Sequence, residues 1–364
     1  MKKNLAALAV PLVFSIGMTA GPVLADGHSK GLFIDRDVDT FAVLPEGVSL
    51  PEGITANPAN GDIYVSTFTV PSKLLRYNRH GKLLTQRDFP VGLLGLEFDR
   101  VHQKVYITNT GDISGVPGAQ SKIQRVAADL SGLEDVAVMP HPGAPAPNFE
   151  VKNPDGSSDF ITFGDFASAP NALVFDSKGS LYISDSFQGA VFKIANVAAC
   201  NVGTCKVDTL AQDGLLATVG FPPFGANGLA FNTKETVLYV ANTGDDRVLS
   251  VDPKSGAVGV FAESLNGADG LVFDKRSGLL WVCANQADEV VALNANGKVV
   301  AKLGEFRGIN KDGTPDGLLF PASPVIVGDD IFVTNLAIAL TGATGDEPEE
   351  DVKLWTVSKM ELPH

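Results

Sequence analysis

One phrase recurs along this chain, and its length restricts the possible folds more than any other property of the sequence. A polar residue and a small one lead into an apolar run. A Gly or charged turn follows, and a second apolar run closes the phrase. It reads Asn227-Gly228-Leu229-Ala230-Phe231 followed by Leu238-Tyr239-Val240-Ala241-Asn242, and again Asp269-Gly270-Leu271-Val272-Phe273 followed by Leu280-Trp281-Val282-Cys283-Ala284-Asn285. Other copies are Asn171-Ala172-Leu173-Val174-Phe175 with Leu181-Tyr182-Ile183-Ser184-Asp185, and Glu52-Gly53-Ile54-Thr55-Ala56 with Ile63-Tyr64-Val65-Ser66. The step from Asn227 to Asp269 is 269 − 227 = 42 residues, and that from Gly53 to Gly95 is 95 − 53 = 42. About 40 residues accommodate four short strands, the size of one propeller blade.

A full module contains four strand-like runs. In the module at Asn227 they are 229–231, 237–241, 247–251 and 258–262, with Asp252-Pro253-Lys254-Ser255-Gly256 as the turn between the last two. Helical periodicity is absent, so alternating strands and helices are excluded. Six modules begin near Glu52, Leu94, Asn171, Asn227, Asp269 and Ser323. The expected fold is all-β, a six-bladed β-propeller. The last module (323–327, 331–335, 352–357) lacks a fourth strand, and the run 37–44 stands directly before the first. The N-terminal strand is therefore expected to complete the last blade, which removes an exposed sheet edge. Residues 132–168, rich in Pro and Gly, read as a long loop over one face; loops of that length often carry function.

The first 25 residues read as a signal peptide. Lys2 and Lys3 precede an apolar stretch, and Val23-Leu24-Ala25 suits cleavage before Asp26. The remainder, 26–364, reads as one domain of a periplasmic or secreted protein. The formal charge is −14 over the whole chain. Such acidity disfavours nucleic acid and anionic membranes and favours cations and small-molecule partners. Cys200 and Cys205, five residues apart in a turn, are expected to form a local disulfide in an oxidising compartment. Cys283 lies in an apolar strand and is expected to be a buried free thiol.

The lead residue of the phrase carries the chemistry. In a propeller the first strand of each blade lines the central channel, so Glu52, Asn171, Asn227 and Asp269 are expected to converge. Two carboxylates and two amide oxygens suit a hard cation, Ca²⁺ with its adaptable coordination before Mg²⁺ or Mn²⁺. The lack of His and Cys at these positions disfavours zinc and copper. The alternative is that Asn and Asp serve only as turn residues before a strand; that leaves Glu52 unexplained. A second polar tier follows the second strand: Ser66, Asn109, Asp185, Asn242, Asn285 and Asn335. It reads chiefly as strand-end turns, with Asp185 available to support a metal ligand.

These phrases, including Pro51-Glu52-Gly53, Pro170-Asn171-Ala172-Leu173 and Ala268-Asp269-Gly270-Leu271, resemble the senescence-marker-protein/gluconolactonase superfamily. That superfamily is related to the diisopropyl-fluorophosphatase and paraoxonase propellers and, more distantly, to strictosidine synthase. The resemblance implies a six-bladed propeller with catalytic Ca²⁺ that hydrolyses lactones or similar esters. It implies Glu52, Asn171, Asn227 and Asp269 as ligands, with Asp269, assisted by Glu52, as the catalytic carboxylate acting as base or nucleophile. The chain departs from its relatives where they recognise substrate. Ala169 stands where gluconolactonases have Arg, Ala172 where they have Asp, and Leu94 and Leu336 where related propellers carry His. Leu94, Phe221, Phe224 and Leu336 therefore suggest an apolar pocket; His141, in the Pro-rich loop, is the one histidine that could reach the channel mouth, and it reads first as a loop residue. No Gly-x-Ser-x-Gly elbow is present. The second functional class is a non-enzymatic propeller that binds a small molecule or protein and uses Ca²⁺ structurally; a metal-free lyase or synthase is a third.

Overall fold

The computed structural model describes residues 31–114, 118–146, 148–152, 155–163 and 167–363. The signal-peptide expectation lies outside the described residues. The compact unit Leu32–His364 contains six blade sheets, each built on four antiparallel strands, and one of them carries a fifth strand. Their innermost strands are Pro51–Asn57, Leu93–Asp99, Pro170–Phe175, Ala226–Phe231, Ala268–Asp274 and Pro321–Val327, and they number blades 1 to 6. These are the six modules of the repeat. Among the described residues the only helical segments are three short 3₁₀ turns.

Ring closure follows the expected route. Asp39–Val43 pairs antiparallel with Thr356–Glu361 as the outermost strand of blade 6. Phe41 fixes it there, its ring edge-on to Phe332 at 4.8 Å between centroids. The third strand of that blade is Thr356–Glu361, not 352–357 as the apolar pattern suggests; Pro348–Asp351 forms a 3₁₀ turn and shifts the strand toward the C-terminus. A further strand, Phe33–Asp35, pairs parallel with the outer strand of blade 5.

The segment 132–168 is not wholly a loop. Glu134–Val138 is the fourth strand of blade 2, and Phe149–Lys152 pairs with Ser158–Ile161 in a separate ribbon. These strands are short, and those of the ribbon are largely exposed, so no apolar period reveals them. A second ribbon, Phe306–Ile309 with Pro315–Gly317, lies between blades 5 and 6 in the chain.

The core lies between blades. Tyr106 and Ile123 of blade 2 pack with Leu173, Ile183 and Phe192 of blade 3. Ile54 and Val65 of blade 1 pack with Phe332 and Val357 of blade 6. Each sheet therefore buries both faces, which is why its middle strands read as near-continuous apolar runs. Cys200 and Cys205 are disulfide-bonded, with 5.3 Å between Cα atoms, and Cys283 is a buried free thiol.

Candidate active site

Every innermost strand carries a bulge at the same place. Pairing with the second strand is interrupted between Pro51 and Ile54, Leu93 and Leu96, Pro170 and Leu173, Ala226 and Leu229, Ala268 and Leu271, and Pro321 and Pro324. A bulge leaves residues unpaired and re-aims their side chains. The first bulge residue in blades 1 to 6 is Glu52, Leu94, Asn171, Asn227, Asp269 and Ala322. The last is a correction: the repeat aligns Ser323 with the lead position, but the register gives it to Ala322.

The second bulge residue is small because the next blade leaves no room for a side chain. A Cβ on Gly228 would lie 2.3 Å from the carbonyl oxygen of Asp269. Hydroxyl groups of the second strands tie these carbonyls in place from the preceding blade. Thr334 Oγ1 donates to Glu52 O at 2.6 Å, and Thr108 Oγ1 to Asn171 O at 2.9 Å. Ser66 Oγ donates likewise to Leu94 O.

Glu52, Asn171, Asn227 and Asp269 line one cavity of about 80 Å³. All four side chains are buried. The Asn171 amide nitrogen donates to Ser186 Oγ at 3.1 Å, and that of Asn227 to Thr243 Oγ1 at 2.9 Å. Ser186 and Thr243 in turn donate to the carbonyls of Ala226 and Ala268, each at 2.8 Å. Asn285 Nδ2 donates to Asp269 Oδ2 at 2.9 Å. Ser186, Thr243 and Asn285 are equivalent residues, each one place beyond the end of its second strand's pairing.

Two carboxylate oxygens remain: Glu52 Oε2 and Asp269 Oδ1 are buried without a hydrogen-bond partner. Burial raises the Asp269 pKa to about 7, against the opposing hydrogen bonds from Asn285 and Asn227. Burial, and then the nearby Asp269 charge, raise Glu52 well above the usual carboxylate range. Burial likewise raises the Cys283 thiol, with smaller contributions from Asp269 and Glu52. Unpaired buried acceptors facing two amides whose nitrogens are already committed form a donor set of hard oxygens, which suits a divalent cation. Among the described residues no three His, Cys, Asp or Glu side chains are grouped to hold a metal; here two of the four candidate ligands are amides.

Leu94, Phe224 and Leu336 line this cavity as the sequence suggests. Phe221 does not; it is 61% exposed. His141 is not among the residues lining the cavity. Its loop is pinned to blade 3 instead, through Gly143 N to Gln188 Oε1 at 2.9 Å and Gln212 Nε2 to Gly143 O at 2.7 Å. Sequence reasoning missed Phe68, Pro222, Thr243, Phe320, Ile338 and Leu340. Asn285, which its phrase assigns to the strand-end tier, belongs to the site. Aligning the second strands by bulge register rather than by phrase would have found Thr243 and Asn285.

The strand-end tier is structural. By register its members are Thr67, Asn109, Asp185, Asn242, Ala284 and Asn335, so Ser66 and Asn285 each stand one residue off it. Asp185 Oδ1 accepts from the backbone nitrogens of Ala169, Phe187 and Gln188 at 2.9, 3.1 and 3.0 Å, which organises a turn. Burial raises its pKa to about 6. A larger cavity, of about 420 Å³, forms the opposite mouth of the channel. Its wall combines inner-strand backbone and aliphatic side chains with Phe98, Phe175, Phe231 and Phe273, and with Arg100 and Lys275. Two half-buried carboxylates line it, Glu97, raised to about 8 by desolvation, and Glu235, while neither Glu52 nor Asp269 lines that mouth.

Residues 166–304 match the family described as SMP-30/Gluconolactonase/LRE-like region. A search among curated proteins finds no match. Among solved structures, the calcium-binding protein regucalcin from Agrobacterium tumefaciens superposes with a TM-score of 0.57 at 18% identity, covering 90% of this chain and 94% of its own. A luciferin-regenerating enzyme gives a TM-score of 0.59 at 14% identity, covering 86% and 92%. A gluconolactonase from Xanthomonas campestris gives 0.52 at 14%, covering 93% and 99%. At these identities the structural likeness establishes the six-bladed fold alone.

Proposed function

We propose that this propeller, whose sequence matches the SMP-30/gluconolactonase/LRE-like family, is an exported, divalent-cation-dependent hydrolase of a lactone or related ester. Calcium is the proposed cation. The observation that carries this reading is the pair of buried, unpartnered oxygens, Glu52 Oε2 and Asp269 Oδ1, in one cavity with Asn171 and Asn227. Those four residues would hold the cation, which supplies Lewis-acid polarisation of a carbonyl and charge for a developing oxyanion.

The chain's own residues do the rest. Asn285 fixes the Asp269 carboxyl through Oδ2 and so aims its other oxygen into the cavity, beside the place the cation would take. As general base, Asp269 takes a proton from water while the water oxygen bonds to the carbonyl carbon. The ring C–O bond then breaks, the proton returns to the alkoxide, and a hydroxy acid leaves. As nucleophile, Asp269 bonds to the carbonyl carbon as the ring C–O bond breaks and the alkoxide takes a proton from water; the resulting hydroxide hydrolyses the acyl-enzyme anhydride, releasing the hydroxy acid and the Asp269 carboxylate. Single turnover in heavy-oxygen water separates the routes: label entering Asp269 excludes the simple base. Glu52 is the second charge of the cradle, and its neutralisation is expected to abolish activity.

The testing experiment is a lactone and ester panel assayed with and without chelator. Hydrolysis that chelator abolishes and calcium restores supports the reading; chelator-insensitive hydrolysis refutes it. The absence of Arg at Ala169 and of His at Leu94 and Leu336 favours a second reading, a small-molecule-binding propeller with structural calcium. Asp269→Asn discriminates, because only an enzyme has turnover to lose.

A further inference from the structure

The cavity wall is chemically divided. Its polar side chains, Asn171, Asn227, Thr243, Asp269 and Asn285, come from blades 3 to 5. All make hydrogen bonds within the protein: Thr243 accepts from Asn227 and donates to Ala268 O, and Asn285 donates to Asp269. Apart from Glu52, blades 6, 1 and 2 present hydrocarbon instead. Phe68 and Leu336 occupy the places that hold Thr243 and Asn285 in blades 4 and 5, and Leu94 occupies the lead position. The rim adds Pro222, Phe224, Phe320, Ile338 and Leu340. Among the described residues, Glu52 and Asp269 are the only charged ones lining the cavity.

From this division, and resting on the hydrolase reading above, we infer that the substrate is a small apolar lactone, a five- or six-membered ring carrying hydrogen or hydrocarbon substituents, and not a polyhydroxylated sugar lactone. A cavity of about 80 Å³ holds roughly six water-sized groups at ~10–15 Å³ each; the cation takes one of these places, and the rest suits a small ring whose outer edge reaches the rim. With its carbonyl toward the cradle, the rest of the ring lies against Phe68, Leu94 and Leu336. A substituent would point toward the half-buried Phe224, Ile338 and Leu340. A ring hydroxyl in that arc would meet hydrocarbon alone and lose its water without replacement. Discrimination of about a hundredfold is expected for each hydroxyl so placed.

The test compares kcat/KM of the calcium-loaded protein on alkyl γ- and δ-lactones, on their ring-hydroxylated counterparts and on glucono-1,5-lactone. In parallel, binding of cyclohexanone and 4-hydroxycyclohexanone, ring carbonyls that cannot be hydrolysed, is read from the shift in melting temperature. The expected result is at least a hundredfold preference for the unhydroxylated ring in both readouts. Leu336→Asn should narrow it at least tenfold, as should Ile338→Asn on the half-buried rim if the first variant does not fold. Equal or faster turnover of the hydroxylated lactones overturns the inference and leaves the hydrolase reading standing. Selective ketone binding without hydrolysis of any lactone or ester overturns the hydrolase reading and upholds the apolar pocket. Binding of neither ketone, with no turnover, overturns both.

Discussion

Replacing Asp269 by Asn should stabilise the cation-free protein at alkaline pH while destroying its response to calcium. Burial pushes the Asp269 carboxyl up from its ordinary 3.8 to about 7 in the folded chain. At ~1.4 kcal/mol per pH unit, the ionised form costs the fold about 4 kcal/mol. The sign follows from proton binding. Between pH 4 and 7 the folded state holds a proton that the unfolded state has lost, so stability falls as pH rises through that window and stays low above it. Raised Glu52 acts in the same direction. The substituted amide would keep an acceptor for Asn285 Nδ2 and remove the charge. For about 330 ordered residues the unfolding entropy is near 0.7 kcal/mol per kelvin, so ~4 kcal/mol corresponds to a rise of about 6 °C in Tm. Thermal unfolding in chelator at pH 4 and pH 8.5 checks this. The variant should match wild type at pH 4 and exceed it at pH 8.5. Calcium should raise the wild-type midpoint at pH 8.5 in proportion to the logarithm of its concentration above Kd, and leave the variant's midpoint unmoved. A variant no more stable than wild type in chelator at pH 8.5 would show that the carboxylate is not held desolvated, and the argument for the cation cradle would go with it.

Three other perturbations test the scaffold around the site. Gly267 has φ +65° and lies against Asn285 Oδ1, which a Cβ would approach to 1.8 Å; Gly267→Ala should displace Asn285 from Asp269 and lower kcat at least tenfold, with Asn285→Ala lowering it similarly in the same assay. Thr334→Val removes the hydroxyl that donates to Glu52 O; a loss of about 1 kcal/mol, together with weaker calcium binding by calorimetry, is expected. Reducing the Cys200–Cys205 disulfide opens a loop of sequence separation 5, and loop-closure entropy sets the cost at about 2 kcal/mol, readable as a lowered urea midpoint with calcium affinity unchanged.

The repeat made much of the fold legible because each blade is a local structure. Its four strands follow one another through short turns, so the alternation of apolar runs and Gly or Asn turns encodes them directly. The ribbon at 149–161 escaped because its strands are short and largely exposed, leaving no apolar period to read. His141 could be read only as a loop residue, because a loop's course depends on what it anchors to. Gln188 and Gln212 of blade 3, 188 − 141 = 47 and 212 − 141 = 71 residues further on, hold that loop by its Gly143 backbone.

By itself the sequence determined the number of blades, the strand that closes the ring, and the chemical types at the lead position, two carboxylates and two amides. Those are properties of a period and of residue identity. Only the tertiary structure decided which residues are equivalent across blades, because a bulge shifts the register by pairing and not by composition; it gives blade 6 an alanine at the lead position and brings Thr243 and Asn285 to the site. Tertiary structure also decided that two carboxylate oxygens are buried together without partners, and that hydrocarbon from blades 6, 1 and 2 faces them. Both depend on contacts between residues more than two hundred positions apart, closed by a hydrogen bond from Thr334 to Glu52, and no local pattern records them.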